Sequence, residues 1–142
     1  MPITFVEGDF LETECQTLAF GHNARGRTEL GILETRLMLA YPSAFSTYVR
    51  RARADKQKGG SVWLWQEGKR NLLFLTVRDS SVGATRLRYV QTIALTLARD
   101  YALYGIHEIA LAPLGNAYER AEINKLLQVW FDKSKLVVWV VG

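Results

Sequence analysis

The sequence of 142 residues has one cysteine, two histidines and three prolines, and this scarcity excludes several kinds of site. With Cys15 alone, no internal disulfide bond can form, which fits a reducing compartment. Neither histidine has a second histidine or a cysteine close by in the sequence, so no metal site is expected. Cys15 is therefore interpreted as a buried structural thiol.

Long apolar runs and known nucleotide-cofactor motifs are also lacking. No run approaches the ~20 apolar residues of a membrane helix, and the start MPITFVEGDF has two acids and no basic region, unlike a signal peptide. The phosphate-loop and dinucleotide glycine patterns are absent, so no cofactor is expected. These observations predict a cytoplasmic protein with a single domain over residues 1–142 and no membrane contact.

Positive charge is concentrated in one stretch. The chain carries a net charge of +4. The stretch from 50 to 58 has one acid, Asp55, and five cations, so it accounts for that excess: Arg50, Arg51, Arg53, Lys56 and Lys58. Such a patch can attract the phosphates of a nucleic acid or nucleotide. It can equally be a solvated helix end, and that alternative stays open.

Hydrophobic spacing predicts an α/β fold. Short β-prone segments lie at 3–6 and 16–20, a hairpin at 61–77, and two further strands at 107–112 and 136–141. Helical spacing covers 29–40, with Thr28 as cap, a second helix capped by Ser43, and later helices at 87–104 and 119–133. The strand–helix alternation in the second half predicts a mainly parallel, mixed central sheet between helical layers.

Three small-residue or acidic turns follow predicted strands. The first is EGDFLE at 7–12, the second is GHNARGRTELGIL at 21–33, interpreted as a polar loop holding His22, and the third is PLGNAYER at 113–120. Ligands of α/β folds bind where strands end, and helix N-termini favour anions. The spacing of Asn116 and Glu119 also matches a capping box, which explains both residues without a ligand.

Taken in order, these segments resemble a macro domain over nearly the whole chain. The resemblance rests on the GD-hydrophobic turn, the loop ending in Gly-Ile, the VWLWQEGKRNLLFLT hairpin and the APLGNA loop. It is nearest to the branch with the terminal ADP-ribose protein glycohydrolase and the antitoxins that remove ADP-ribose from DNA. It implies a three-layer α/β/α fold with a mixed central sheet that binds ADP-ribose.

The resemblance also implies roles for particular residues. Asp9 would accept a hydrogen bond from the adenine amino group, with Phe10 lining the same pocket. Asn23 would lie near the distal ribose. The diphosphate would meet two loops, and Glu119 or the nearby Asp79 would act as general acid or base. The loop residues are Gly31 and Ile32 in the first loop, and Gly115, Asn116, Ala117 and Tyr118 in the second.

This sequence departs from the pattern of that branch at three places. Glu29-Leu30 stand where glycine is usual, and Ala117 replaces the last glycine of the second loop. Val77-Arg78 occupy the place of the lysine that hydrolases of the branch use to attack the distal ribose. Arginine stays protonated and cannot serve as that nucleophile.

The sequence therefore leaves three functions open. The first is binding of ADP-ribose with removal of ADP-ribose from a protein or nucleic acid. The second is binding of ADP-ribose or a related nucleotide without catalysis. The third is nucleic-acid binding through the basic stretch at 50–58, which could also steer an ADP-ribosylated nucleic acid to the site.

Overall fold

The computed structural model describes residues 3–29 and 31–142, which contain a six-stranded sheet. Its order is β1-β6-β5-β2-β4-β3, and only the β3–β4 pair is antiparallel. The mixed sheet predicted from the alternation of elements is thus confirmed. The strands are β1 (Ile3–Val6), β2 (Thr17–Asn23), β3 (Val62–Glu67), β4 (Arg70–Arg78), β5 (Glu108–Leu111) and β6 (Val137–Val141).

Four α-helices cover the two faces of the sheet and complete the three-layer fold. They are α1 (Ile32–Ala40), α2 (Pro42–Arg53), α3 (Leu87–Asp100) and α4 (Arg120–Phe131). One apolar core lies under α1 and α2 and contains Leu37 and Tyr48. The other lies under α3 and α4 and contains Ile93 and Leu127. A sheet with a helix pair on each face has one core on each side, as observed here.

Most predicted elements are confirmed, and their ends have the expected causes. Pro42 separates α1 from α2, since the residue before proline avoids the helical region. A short 3₁₀ helix, Tyr101–Tyr104, follows α3, and Gly105 ends it with φ +71°. The hairpin turns at Gly68, which also has positive φ. Among the described residues, no helix has the length and apolar character needed to cross a membrane.

Two local predictions about the first helices were wrong. The first helix begins at Ile32 with Gly31 as its N-cap, so Thr28 does not cap it. The next begins at Pro42, a favoured first residue, and Ser43 lies inside it. The predicted helix at 29–40 includes Leu30, which lies outside the described residues.

The prediction of a polar loop at 21–33 was also partly wrong, because β2 continues through Asn23. His22 and Asn23 are buried, with exposed fractions of 3% and 0%. Strand β2 lies between β4 and β5, and its partners continue to 78 on β4. The polar side chains are satisfied by neighbours, so the strand does not have to end at Phe20.

Five parallel strands end at the same side of the sheet, here called the carboxyl edge. The segments that follow them are 7–10 after β1, 142 after β6, 112–119 after β5, 24–29 after β2 and 79–86 after β4. All three turns singled out in the sequence therefore meet at this edge, where α/β folds bind their ligands.

Candidate functional site

A cleft of about 310 Å³ lies at the β1–β6 end of the carboxyl edge, and we call it the β1 cleft. Its lining unites the ends of β1, β5 and β6 with the start of α1. Asp9, Phe10 and Ile32, all predicted to contact a ligand, line it together with Arg36, Pro113 and Gly142. Residues far apart in the sequence thus form one concave surface.

Asp9 is held in place by three hydrogen bonds. Its carboxylate accepts two from the Arg36 guanidinium, at 3.1 and 2.9 Å, and one from the Leu11 amide at 3.0 Å. The hydrogen bonds from Arg36 and Leu11 lower the pKa of Asp9, so it is a carboxylate at neutral pH. The pair is accessible, with side-chain exposures of 46% for Arg36 and 30% for Asp9. A carboxylate has about four acceptor positions, so room for another donor remains.

Helix α1 begins beside this cleft, and the Glu34 carboxylate of its first turn lies against Gly31. Its N-cap is Gly31, which supplies no side chain to satisfy the first amides. Ile32 and Leu33, the first two helical residues, line the β1 cleft. The first N–H groups of a helix need an external partner, and the helix dipole favours an anionic one.

The loop before α4 is, in contrast, capped by its own side chains. Asn116 Oδ1 accepts the amides of Tyr118 and Glu119 at 2.9 and 3.0 Å, and Glu119 Oε1 accepts the Asn116 amide at 2.8 Å. This confirms the capping box. In the described part of the chain, the amides of Gly115 and Ala117 have no partner, so they are the donors left for a ligand.

Gly115 is required by the shape of that loop. Its φ is +79°, and an added Cβ would lie 2.7 Å from Ile123 Cδ1 and 2.9 Å from Glu119 Oε1. Tyr118 points away from the protein, with 97% of its surface exposed, so it does not fill the carboxyl edge.

Both carboxylates considered for catalysis hold structure in place. The second oxygen of Glu119 accepts the Thr85 amide at 3.1 Å, which ties the β4–α3 segment to the β5–α4 loop. Asp79 accepts hydrogen bonds from Arg86 and from the Tyr89 hydroxyl, each at 2.6 Å. Neither side chain has a base or nucleophile among these partners.

An ion pair between Arg78 and Glu29 occupies the β4 end of the carboxyl edge. Exposures of 17% and 10% show that it is largely buried. Burial raises the pKa of Glu29, and the Arg78 charge opposes that rise. Val77, also in the place of the hydrolase lysine, is fully buried. Glu29 and Arg78, both noted in the sequence as departures from the pattern of the similar branch, therefore form an ion pair with each other.

Asn23, predicted to lie near the distal ribose, is the last residue of β2, and its side chain is held by the turn that follows. The Asn23 side-chain nitrogen donates to the Arg27 carbonyl at 2.9 Å, and its Oδ1 accepts a hydrogen bond from the Arg27 backbone N–H at 3.0 Å. These two hydrogen bonds fix the turn at 23–27. The Tyr48 hydroxyl donates to the Asn23 carbonyl at 3.0 Å. Its side chain therefore has a structural explanation that needs no ribose.

The basic stretch at 50–58 divides into different surroundings. The Arg51 guanidinium packs over the Trp63 ring, 4.9 Å from its centre. Arg53 and Lys58 instead line a wide groove of about 820 Å³ with Arg25 and Arg27, which sequence reasoning did not include. We call it the basic groove. Gln57 also lines it, and the Gln57 side-chain nitrogen is buried without a hydrogen-bond partner. Only the fold reveals that two arginines from the β2–α1 loop join this surface.

Metal ligation is not supported in the part of the chain that the structure describes. No group of three histidine, cysteine, aspartate or glutamate side chains could hold a metal ion there. Cys15 is buried, and burial raises the pKa of its thiol.

The arrangement of the sheet, its two helix pairs and its carboxyl-edge loops is the macrodomain fold. Comparison with solved structures shows this over nearly the entire chain. The DarG macrodomain of Thermus aquaticus superposes with a TM-score of 0.88 at 22% identity, covering 99% of this chain and 97% of that one. The DarG macrodomain of Mycobacterium tuberculosis gives 0.87 at 20% identity, covering 98% and 95%.

A third similar structure contains a ligand. It is Thermosipho africanus DarTG in complex with ADP-ribose, with a TM-score of 0.89, 17% identity, and coverage of 98% of this chain and 41% of that chain. No protein-family model and no curated protein matches the sequence. At these identities the likeness establishes the fold, while ligand and activity depend on the site.

Proposed function

We propose that the carboxyl edge binds ADP-ribose or a close relative of it. The observation that carries the proposal is the β1 cleft, where Asp9 and Phe10 meet the first residues of α1. An ionised acceptor beside an aromatic ring suits a purine with an exocyclic amino group. The first helical amides of α1, for which the described residues provide no side-chain cap, suit the diphosphate that follows.

The charge and donor pattern along the edge supports the same ligand. Arg36 and Arg120 both line the β1 cleft and supply positive charge near its opening. The free amides of Gly115 and Ala117 lie in the next loop along the sheet. An adenine followed by a diphosphate would meet these groups in that order. ADP-ribose in the similar DarTG structure adds support from the fold.

We favour binding without the covalent lysine chemistry of the related hydrolases. Arg78 cannot act as a nucleophile, and it is paired with Glu29. Hydrolysis by water is the alternative, with Glu119 as the acid or base. That alternative requires Glu119 to release at least one of its two backbone amides, from Asn116 or Thr85.

Calorimetry with ADP-ribose and adenosine tests the binding proposal, and a proline variant tests the diphosphate position. Ile32→Pro removes one amide at the first helical position, where proline is tolerated, and Gly31 already has extended geometry. Ile32→Ala keeps that amide and is the matched control. We expect about tenfold weaker ADP-ribose binding in the proline variant only, a loss of ~1.4 kcal/mol, with adenosine unchanged. No heat from the wild-type protein at millimolar ADP-ribose would refute the proposed function.

Turnover separates the two classes once binding is established. Release of ADP-ribose from modified protein and modified DNA is measured for the wild type and for Glu119→Gln. Binding without release supports the binding module. Release that is lost in Glu119→Gln supports water-based hydrolysis, while release that persists removes Glu119 from the mechanism.

A second candidate function, nucleic-acid contact, is favoured by the basic groove. Its four cations, Arg25, Arg27, Arg53 and Lys58, form no ion pair within residues 3–29 and 31–142. Each phosphate contact to single-stranded DNA adds about 0.7 to the salt slope of the affinity. Arg53→Gln with Lys58→Gln should therefore lower that slope by about 1.4, whereas Lys133→Gln with Lys135→Gln should leave it unchanged. Equal slopes for the two double variants would exclude the groove.

A further inference from the structure

A separate cavity of about 230 Å³ lies between α1, α2 and the end of β2, and we call it the α1–α2 cavity. It shares no lining residue with the β1 cleft. Helix α1 stands between the two, with Ile32, Leu33 and Arg36 toward the cleft and Leu37 and Met38 toward the cavity. A ligand held in the β1 cleft therefore does not have to enter the cavity, although Thr28 and Glu29 of the segment after β2 line the cavity.

The walls of the cavity are mainly apolar and partly aromatic. The Phe20 and Phe45 rings stack with their centres 5.7 Å apart and an angle of 13° between their planes. Leu37, Met38 and Val49 also line the cavity. A dry apolar cavity of about 150 Å³ is large enough for benzene. The α1–α2 cavity is therefore large enough for one ring that carries a small substituent.

His22 adds a polar ring to this lining. Its Nδ1 accepts the Asn23 amide at 2.8 Å, so the proton of the neutral ring is on Nε2. The ring is 97% buried and stacks on Tyr48 at 4.5 Å, with 5° between the planes. No hydrogen-bond partner of Nε2 occurs among the residues that the structure describes. Burial lowers the pKa of His22 to about 4, so the group is an uncharged donor at neutral pH.

The remaining polar groups restrict the charge of an occupant. Glu29 and Glu34 line the cavity, while its histidine is neutral and no arginine or lysine lines it. An anion would face the Glu34 carboxylate, and the nearby Arg78 is already paired with Glu29, so an anion is disfavoured. Thr28 and Ser46 add hydroxyls that accept or donate.

We propose that the α1–α2 cavity is a second binding site, for a small, uncharged, planar ring compound whose hydrogen-bond acceptor meets His22 Nε2–H. The ring stacks among Phe20, Phe45 and the aliphatic side chains. An N–H donor on the same substituent reaches the carboxylates at the edge of the cavity. A primary aromatic amide has all of these features. This proposal does not depend on what the carboxyl edge binds.

Three probes of nearly equal shape test the proposed chemistry in the intact chain. Benzamide has the ring, the acceptor and the donor. Benzoate replaces the amide with a negative charge, and toluene has neither polar group. Assigned heteronuclear NMR spectra of the protein are recorded during titration with each probe. We expect saturable shifts of His22, Leu37 and Phe45 with benzamide, at least tenfold tighter binding than benzoate, and intermediate binding of toluene.

Two variants locate the response. Ser46 is exposed on α2 and lines the cavity, so we expect the Ser46→Phe protein to fold with its new ring over the cavity. This variant should bind benzamide at least tenfold more weakly. His22→Phe keeps the stacking ring and should weaken benzamide about fivefold, the value of one neutral hydrogen bond, while toluene binding stays unchanged. The spectrum of each variant shows directly whether it is folded. Absence of saturation up to the solubility limit, or equal binding of benzamide and benzoate, overturns the proposal. So does an undiminished affinity for benzamide in a folded Ser46→Phe protein.

Discussion

An arginine–carboxylate pair lies at each end of the carboxyl edge, and the two pairs differ in burial. At the β1 end, Arg36 and Asp9 are 46% and 30% exposed. At the β4 end, Arg78 and Glu29 are 17% and 10% exposed. An exposed pair gains little in water and is easily exchanged for another partner. A buried pair loses much if one member is removed, because the other charge is left without compensation.

This difference divides the edge into an accessible half and a closed half. A purine can take a free acceptor position on Asp9 with little rearrangement. A diphosphate and distal ribose would approach the segment 24–29, where Glu29 adds negative charge and holds Arg78. The macrodomain fold is therefore present along the entire edge, while the two ends differ in the burial of their charged pairs. The following predictions test this contrast in order of decreasing effect.

Removal of each arginine should affect stability very unequally. Arg78→Leu leaves the Glu29 carboxylate buried and unpaired, so we expect the free energy of unfolding to fall by about 3 to 5 kcal/mol. Arg36→Leu should leave the urea midpoint unchanged within error, because Asp9 stays hydrated. Urea denaturation followed by circular dichroism measures both. Equal losses in the two variants would show that the contrast in burial has no energetic meaning.

Acid should destabilise the protein through His22, which is buried at the end of β2. The pKa of His22 is lowered from 6.5 to about 4, chiefly by burial and then by the Arg78 charge. Between pH 6.5 and 4, His22 takes up a proton in the unfolded chain but not in the folded protein. Its contribution to stability is therefore fully present above pH 6.5 and is lost as the pH falls to 4. The wild type should lose roughly 3 kcal/mol more than His22→Phe between pH 7 and 4.

Urea denaturation at the two pH values gives this difference directly. His107→Gln is the matched control, since His107 is the other histidine and is exposed. The control should retain the loss on acidification that His22→Phe lacks. A wild type and a His22→Phe variant with the same pH dependence would contradict the assignment of His22 as neutral in the native state.

Neutralising Glu29 should improve binding of the anionic ligand. Glu29→Gln keeps the shape of the side chain, removes the repulsion of a diphosphate and releases the Arg78 guanidinium as a partner. We expect ADP-ribose to bind about tenfold more tightly, or ~1.4 kcal/mol, and adenosine to bind as in the wild type. Calorimetry with both ligands provides the comparison. Weaker ADP-ribose binding in this variant would mean that Glu29 contacts the ligand favourably.

The smallest effect is expected at the accessible end. Asp9→Asn retains an acceptor for the Leu11 amide but loses the charge-assisted bond to an adenine amino group. We expect adenosine binding to weaken about fivefold, the loss of one ordinary hydrogen bond, with no change in the urea midpoint. Asp79→Asn, away from the β1 cleft, should bind adenosine normally. Titration with purine riboside sharpens the test, because purine riboside has hydrogen in place of the amino group and should bind the wild type and the Asp9→Asn variant with equal affinity.

Sequence patterns predicted the layers, the mixed sheet and the position of the carboxyl edge, because hydrophobic period and turn residues are local properties. The capping box at Asn116 and Glu119 was also readable, since its partners are three residues apart. The Arg78–Glu29 pair was not, because it joins positions 49 residues apart that meet only when β2 pairs with β4. His22 and Asn23 were assigned to a loop for a similar reason: the groups that satisfy them, including Tyr48, come from another helix.

The double hydrogen bond of Glu119 has a mechanical consequence. One carboxylate fastens the segment before α3 to the loop before α4, through the amides of Thr85 and Asn116. These two connections should therefore shift as a single rigid body. A ligand that separated these two connections would have to break one of the two hydrogen bonds of Glu119.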